Sequence, residues 1–308
     1  MKLTELVGEN STRSIGIASR LDSSRAISVS KDLTSFLIEK KIKICPEARI
    51  ANILGMEGKP LHEMVAEQVP AIACVGGDGT ILRVAQKLSF KNPPAILGIN
   101  VGAVGFLAEF DVNSKDSFNQ LLSANLIEEK CVRLSCHVDN HDHFPPALNE
   151  ILVITSRPSK ALSITVSVDH QMYATGYVDG VIVATPTGST AYSLSAGGGI
   201  VAPEVDAIQI VPVCPFVRTG FKPLIINSNS TVEIELLRPK LNAVVAIDGQ
   251  SEFVINSSST KRITIRKSTS GISFLRNHSL KNSFFSRLNK KLLPGARFPV
   301  PRYDQPEE

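Results

Sequence analysis

The sequence predicts two unlike lobes: an α/β N-terminal domain of Rossmann-like character, and a mostly β C-terminal domain. Two observations carry this expectation. Over roughly the first hundred residues, short apolar runs end in glycine-rich turns and lead into apolar residues at helical spacing, which is the alternation of a parallel sheet with crossover helices. Beyond about residue 126, short runs separated by polar turns take over, the signature of antiparallel β structure. At 308 residues the chain has room for one large domain or two. The change of pattern favours two, with the boundary near Asn125.

Residues 14–18 read as the first strand. Asp22, Ser23 and Ser24 follow with capping side chains, and Val29, Leu33, Phe36 and Leu37 then share one helical face. Residues 71–75 make a second strand, broken at 76–80, after which Ile81, Leu82, Ala85 and Leu88 recur at helical spacing. Residues 95–99 make a third strand, again closed by a glycine-rich turn. In such sheets ligands gather along the carboxyl edge of the strands. The β-rich part reads as strands over 131–138, 151–155, 162–168, 176–184, 207–211, 231–237, 244–248 and 262–266, with turns at Asp169-His170 and 227–230. From Arg276 to Arg302 there are seven basic residues and no acid, while Phe284, Leu288 and Leu292 fall at i, i+4 and i+8. That spacing favours an amphipathic helix docked on the body over a free basic patch. Residues 299–308 are expected to be poorly ordered.

Hydrophobic residues make up 43% and charged residues 20%, the balance of a globular protein with a full core. The formal net charge of +4 is too small to point to nucleic acid. Five cysteines (Cys45, Cys74, Cys131, Cys136 and Cys214) form no C-x-x-C pair, which suits reduced thiols in a cytoplasmic protein. No apolar run nears the length of a bilayer span, and the first ten residues lack the apolar stretch of a signal peptide. No membrane association is expected. His141-Asp142-His143 reads as a solvated turn rather than a metal pair.

Chemistry is written in five places. Gly76-Gly77-Asp78-Gly79-Thr80 lies between a strand and a helix. Its glycines let the backbone turn sharply and meet a ligand without a Cβ in the way, and its N–H groups form a nest for phosphate oxygens. A carboxylate beside phosphate is repulsive, so Asp78 implies a metal ion or a hydroxyl proton to accept; capping of its own helix is the competing reading. Asn100-Val-Gly102-Ala-Val-Gly105-Phe-Leu107 closes the next strand. Asn100 occupies the first glycine's place in the dinucleotide fingerprint, so tight strand-to-helix packing is the simpler reading. Thr185-Pro-Thr187-Gly-Ser189-Thr190-Ala191-Tyr192-Ser193-Leu194-Ser195 gathers hydroxyls suited to sugar, amide and phosphate groups, with Tyr192 offering a stacking face. Asn149-Glu150 stands before an apolar strand where paired side chains can grip vicinal hydroxyls, and Asp248-Gly249-Gln250 reads as a hairpin turn.

In this order the segments resemble the NAD kinase family over roughly residues 70–255. The matching pieces are GGDGT with Arg83, the turn from Asn100 to Leu107, LNE at 148–150, Arg157-Pro158-Ser159-Lys160, Asp179-Gly180, TPTGSTAYSLSAGG at 185–198, and Asp248-Gly249-Gln250. GGDGT is shared with diacylglycerol and sphingosine kinases; TPTGSTAYSLSAGG is far more specific. The resemblance implies that residues 1–125 form the α/β domain, that 126–267 form a β-rich NAD-binding domain, and that 268–308 return to the first domain. It implies transfer of a phosphoryl group from ATP or inorganic polyphosphate to the 2′-hydroxyl of NAD's adenosine ribose, with Mg²⁺ or another divalent ion, in a homo-oligomer. Asp78 matches the proton acceptor. Gly79, Arg83, Asn149, Glu150, Asp179, the run from Thr190 to Ser195 and Gln250 match NAD contacts, while Gly76, Gly77, Gly79 and Thr80 would hold donor phosphates. Tyr177 stands where relatives often carry a basic residue. Two departures are noted: Gly199 replaces a common proline, and Cys214-Pro215-Phe216 replaces a more usual Cys-Pro-His. The rival expectations are a lipid kinase sharing GGDGT, disfavoured by the polar 185–195 segment, and a non-catalytic NAD-sensing module.

Overall fold

The structure is a computed structural model that describes the chain apart from residues 8–12, 65–68, 89–91, 103–104, 113–114, 140–143, 217–219, 238–241, 257–260, 279–282 and 293–308. The expectations for His141-Asp142-His143 and for residues 299–308 therefore lie outside the described residues.

The N-terminal lobe runs α1 (Leu3–Val7), β1 (Ile15–Ser19), α2 (Ser24–Glu39), β2 (Ile44–Pro46), α3 (Ala48–Leu54), β3 (Ala71–Gly76), α4 (Asp78–Lys87), β4 (Ala95–Asn100), β5 (Phe110–Asp111), α5 (Lys115–Ser123) and β6 (Leu126–Cys131). β1 and β3 are buried along their whole length, as strands covered on both faces must be, which is why they read as unbroken apolar runs. Helix α2 starts where the Ser23 side chain accepts from Ala26 N, and it buries Ala26, Leu33, Phe36 and Leu37 on the sheet.

The C-terminal lobe comprises β7 (Leu134–Val138), β8 (Glu150–Thr155), β9 (Leu162–Val168), β10 (Gln171–Val178), β11 (Gly180–Ala184), α6 (Tyr192–Ser195), β12 (Ala207–Val213), β13 (Leu224–Asn227), β14 (Val232–Leu236), β15 (Ala243–Ile247), β16 (Ser251–Ile255) and β17 (Lys261–Lys267). A five-stranded sheet, β10-β9-β14-β17-β7, faces a six-stranded one, β13-β12-β11-β8-β15-β16. Ile164, Val166, Ile234 and Ile263 from the first interdigitate with Val153, Val183, Ile210 and Val245 from the second.

The chain then returns. β18 (Ile272–Asn277) enters the N-terminal sheet between β4 and β6, and α7 (Ser283–Leu292) follows it. The sheet runs β2-β1-β3-β4-β18-β6, with β5 beside the end of β4. β6, which begins one residue past the expected boundary at Asn125, pairs with β18 in this sheet.

Two single strands expected from the sequence are each divided. Residues 131–138 split into β6 and β7, which belong to different sheets. The link carries Arg133, whose fully buried guanidinium donates to carbonyls of Ala85, Leu88 and Ser270. Residues 176–184 split at Asp179, where the backbone leaves one sheet of the sandwich for the other. An unbroken run of β-forming side chains does not reveal such a corner. β2, β5, β13, β16 and β18 have no counterpart among the strands expected from the sequence, and β6 shares only Cys131 with them.

Candidate active site

Asp78 opens helix α4 with Gly77 as its N-cap. Its carboxylate does not cap that helix. It reaches across to the segment after β4: Phe106 N donates to Oδ2 at 2.9 Å, and Leu107 N and Ala108 N donate to Oδ1 at 3.0 and 3.3 Å. Oδ1 thus carries two donors and Oδ2 one, which leaves Oδ2 the freer acceptor. A Cβ on Gly105 would overlap the Asp78 carboxylate. The last glycine of the N-x-G-x-x-G turn is required by this close approach, not by strand-to-helix packing. Residues 103–104 of that turn lie outside the described residues.

The glycines of GGDGT serve a purpose narrower than expected. None of Gly76, Gly77 and Gly79 has a positive φ, so no sharp turn demands them. A Cβ on Gly77 or Gly79 would meet open space, and both line a cavity of about 290 Å³. Their bareness lets a ligand reach the first N–H groups of α4, which have no partner inside the helix. Ser19, Arg20, Leu21, Asp22, Arg49, Thr80, Arg83 and Gln250 complete the lining. Gln250 comes from the hairpin between β15 and β16, so the cavity is a crevice between the lobes.

Arg83 is held by the buried Glu47 carboxylate through paired bonds of 2.5 and 2.7 Å. Arg20 is similarly paired with Asp22, at 2.7 and 2.9 Å, on the exposed rim. Sequence reasoning missed Arg20, Asp22, Arg49 and Glu47. The only available signal was their position just beyond the carboxyl ends of β1 and β2.

Asn149 and Glu150 are built by a second arrangement. Asp248, at a positive φ in the hairpin turn, accepts from Leu148 N at 2.8 Å, Asn149 N at 2.7 Å and Glu150 N at 3.1 Å. Thr185 Oγ1 donates to Leu148 O at 2.6 Å, and Thr185 N to Asn149 O at 2.9 Å. The backbone is fixed, yet Asn149 Oδ1 and Glu150 Oε2 are buried without a hydrogen-bond partner. Such orphans call for a polar ligand or water. Burial, reinforced by the neighbouring Asp248 charge, pushes the Glu150 carboxyl up to about 8. It is therefore protonated at neutral pH, and can donate through one oxygen and accept through the other. Asp248 itself is raised to about 6 by burial, opposed by its three N–H donors and by Arg133.

The hydroxyl-rich stretch spends much of its bonding on itself. Ser189 Oγ donates to Pro186 O and accepts from Val201 N, and Thr190 Oγ1 donates to Thr187 O. Ser193 Oγ is buried and unpartnered, as are both polar atoms of the neighbouring Gln209. Tyr192 and Ser195 are exposed, and Ala191 and Leu194 half-buried. Tyr177 and Asp179 stand apart from the rest. They precede β11, whereas Thr185 and the bonds to Asn149 follow it. The six steps from Asp179 to Thr185 span roughly 20 Å of extended chain.

The family model described as ATP-NAD kinase N-terminal domain matches residues 15–129, and the one described as ATP-NAD kinase C-terminal domain matches residues 148–277. A NAD kinase of Methanothermobacter thermautotrophicus is 38% identical over 286 residues, 92% of this chain and 97% of that protein. Among solved structures, an NAD kinase from Archaeoglobus fulgidus in complex with ATP superposes with a TM-score of 0.71 at 28% identity, covering 90% of this chain and 98% of its own. Yeast NADH kinase complexed with NADH gives 0.79 at 24% identity, covering 95% and 90%, a likeness of fold.

Proposed function

The chain belongs to the NAD kinase family, and from that premise we propose how its residues place a phosphoryl group on the 2′-hydroxyl of NAD's adenosine ribose to give NADP. ATP is the donor we assign. Its phosphates lie in the cavity between the lobes, against the N-terminus of α4 and the Arg20, Arg49 and Arg83 guanidiniums. The observation that carries this reading is the bare edge of Gly77 and Gly79, open towards that arginine-lined space. Asn149 Oδ1 and the Glu150 carboxyl hold ribose hydroxyls, satisfying the atoms left orphaned. Ser193 and the exposed Tyr192 flank the rest of the dinucleotide, and Gln250 closes over it.

Phosphoryl transfer proceeds through a loose transition state that asks for alignment and charge neutralisation. The 2′-oxygen attacks the terminal phosphorus as the bond to the departing ADP breaks, and Oδ2 of Asp78 receives the hydroxyl proton. The one carboxylate among the described residues lining the cavity, Asp22, has both oxygens on Arg20, so a divalent ion there would be held chiefly by the donor phosphates. Among the described residues no three His, Cys, Asp or Glu side chains cluster as an all-protein metal cage. Mg²⁺, when bound with the donor, neutralises phosphate charge.

Tyr177 and Asp179 belong to the same reading only in a homo-oligomer. Lying roughly 20 Å along β11 from the Asn149 segment, they contact dinucleotide bound to a neighbouring copy. The exposed Tyr177, Phe216 and Ile225 support such an assembly. No described helix is long and apolar enough to cross a membrane. We place the protein in the cytoplasm, in keeping with its free cysteines. NADP⁺ formation from NAD⁺ and Mg²⁺, with ATP compared against polyphosphate, tests the donor. A preference for polyphosphate would overturn its assignment.

A further inference from the structure

Arg276 lies 198 positions beyond Asp78 in sequence and is buried in β18. Its Nη1 donates to Leu107 O at 2.7 Å. That carbonyl shares a peptide group with Ala108 N–H, which donates to Asp78 Oδ1. A guanidinium is therefore joined to the Asp78 carboxylate through a single peptide unit, with Leu107 N bonded to the same oxygen. A cation on the carbonyl polarises the peptide and strengthens its N–H as a donor.

The guanidinium is itself fixed. Nε and Nη2 donate to Glu129 Oε1 at 3.2 and 3.1 Å, and Nη1 stands 3.5 Å from Glu109 Oε2. Its plane covers the Phe274 ring, 4.5 Å from the centroid. Glu109 accepts Asn277 N at 2.9 Å and also meets Arg287 of α7 at 3.5 Å. Phe284 of the same helix packs near Phe106, and Lys291 lies over that ring. The segment supplying all three donors to Asp78 is thus clamped by β18 and α7.

We propose that Arg276 is a positioning residue for the transfer reaction. It sets the 106–108 amides, and through them the orientation of the Asp78 carboxylate. This rests on Asp78 being the proton acceptor, so Asp78→Asn is assayed in parallel. In Arg276→Ala, kcat falls by ~10- to 100-fold, the loss that a misaligned reacting group produces, while KM for NAD⁺ changes less than about twofold. Arg276→Lys, which keeps a cation near Leu107 O, retains most of the activity. Millimolar guanidinium chloride restores part of the kcat of Arg276→Ala and none of that of Asp78→Asn. Arg276→Ala that melts earlier but turns over normally when folded would overturn the proposal, as would a loss confined to KM. If Asp78→Asn is itself active, the acceptor assignment fails instead.

Discussion

Asp78 and Asp248 each collect backbone N–H groups from three consecutive residues, 106–108 for one and 148–150 for the other. Each ties a β-strand terminus to a glycine-containing turn elsewhere in the chain. Their surroundings differ. Asp248 is 4% exposed, and burial raises its carboxyl. Asp78 is half-buried, between Gly77 and Gly79 of the crevice lining. The same hydrogen-bond pattern therefore serves as a rivet in one lobe and, on the proposed function, as a mount for the proton acceptor in the other. Each leaves its Oδ2 with a single donor; what separates them is access.

Substitutions can break that comparison. Asp78→Asn removes the acceptor, and kcat should drop by about 10²–10⁴-fold, the range of general-base contributions, with the protein still folded by circular dichroism. Near-normal turnover would dissolve the distinction. Asp248→Asn replaces one accepting oxygen by a donor facing backbone donors, which should cost about 3 kcal/mol in urea unfolding. Its residual kcat should exceed that of Asp78→Asn; an activity loss as deep, at unchanged stability, would make the two aspartates equals. Gly105→Ala pushes a methyl group into the Asp78 carboxylate and should lower kcat about tenfold by misalignment, with KM for NAD⁺ little altered.

A further contrast concerns Glu150. Its folded value of about 8 lies above the ~4.3 of an unfolded chain, so the folded state keeps a proton that the unfolded state releases. The stability from this group is present below pH ~4, is lost as pH rises from ~4 to ~8, and is absent beyond. Glu150→Gln cannot ionise, so urea midpoints measured across that window should decline less than in the wild type. Parallel curves would mean that Glu150 ionises normally.

Local chemistry was legible where neighbours in sequence are neighbours in space. GGDGT does lie between a strand and a helix, and the Phe284-Leu288-Leu292 spacing does mark a helix, α7. The purpose of Gly105 was hidden because it depends on β3 and β4 lying side by side, which brings Asp78 against residue 106. β18 escaped notice because Phe274 and Leu275 are both buried, so it lacks the alternation of a half-exposed strand. Asp179 read as one site with Asn149, although the strand between them carries it to the opposite end of the sandwich.

The position of β18 also dictates an order of events during biosynthesis. The sheet that bears Asp78 lacks an inner strand until residue 277 has left the ribosome, after the whole sandwich has been made. Pairings of such long sequence separation form late and slowly. A nascent chain cut short before β18 still has the β3–β4 pairing and the 106–108 amides on Asp78, but Leu107 O lacks its Arg276 donor.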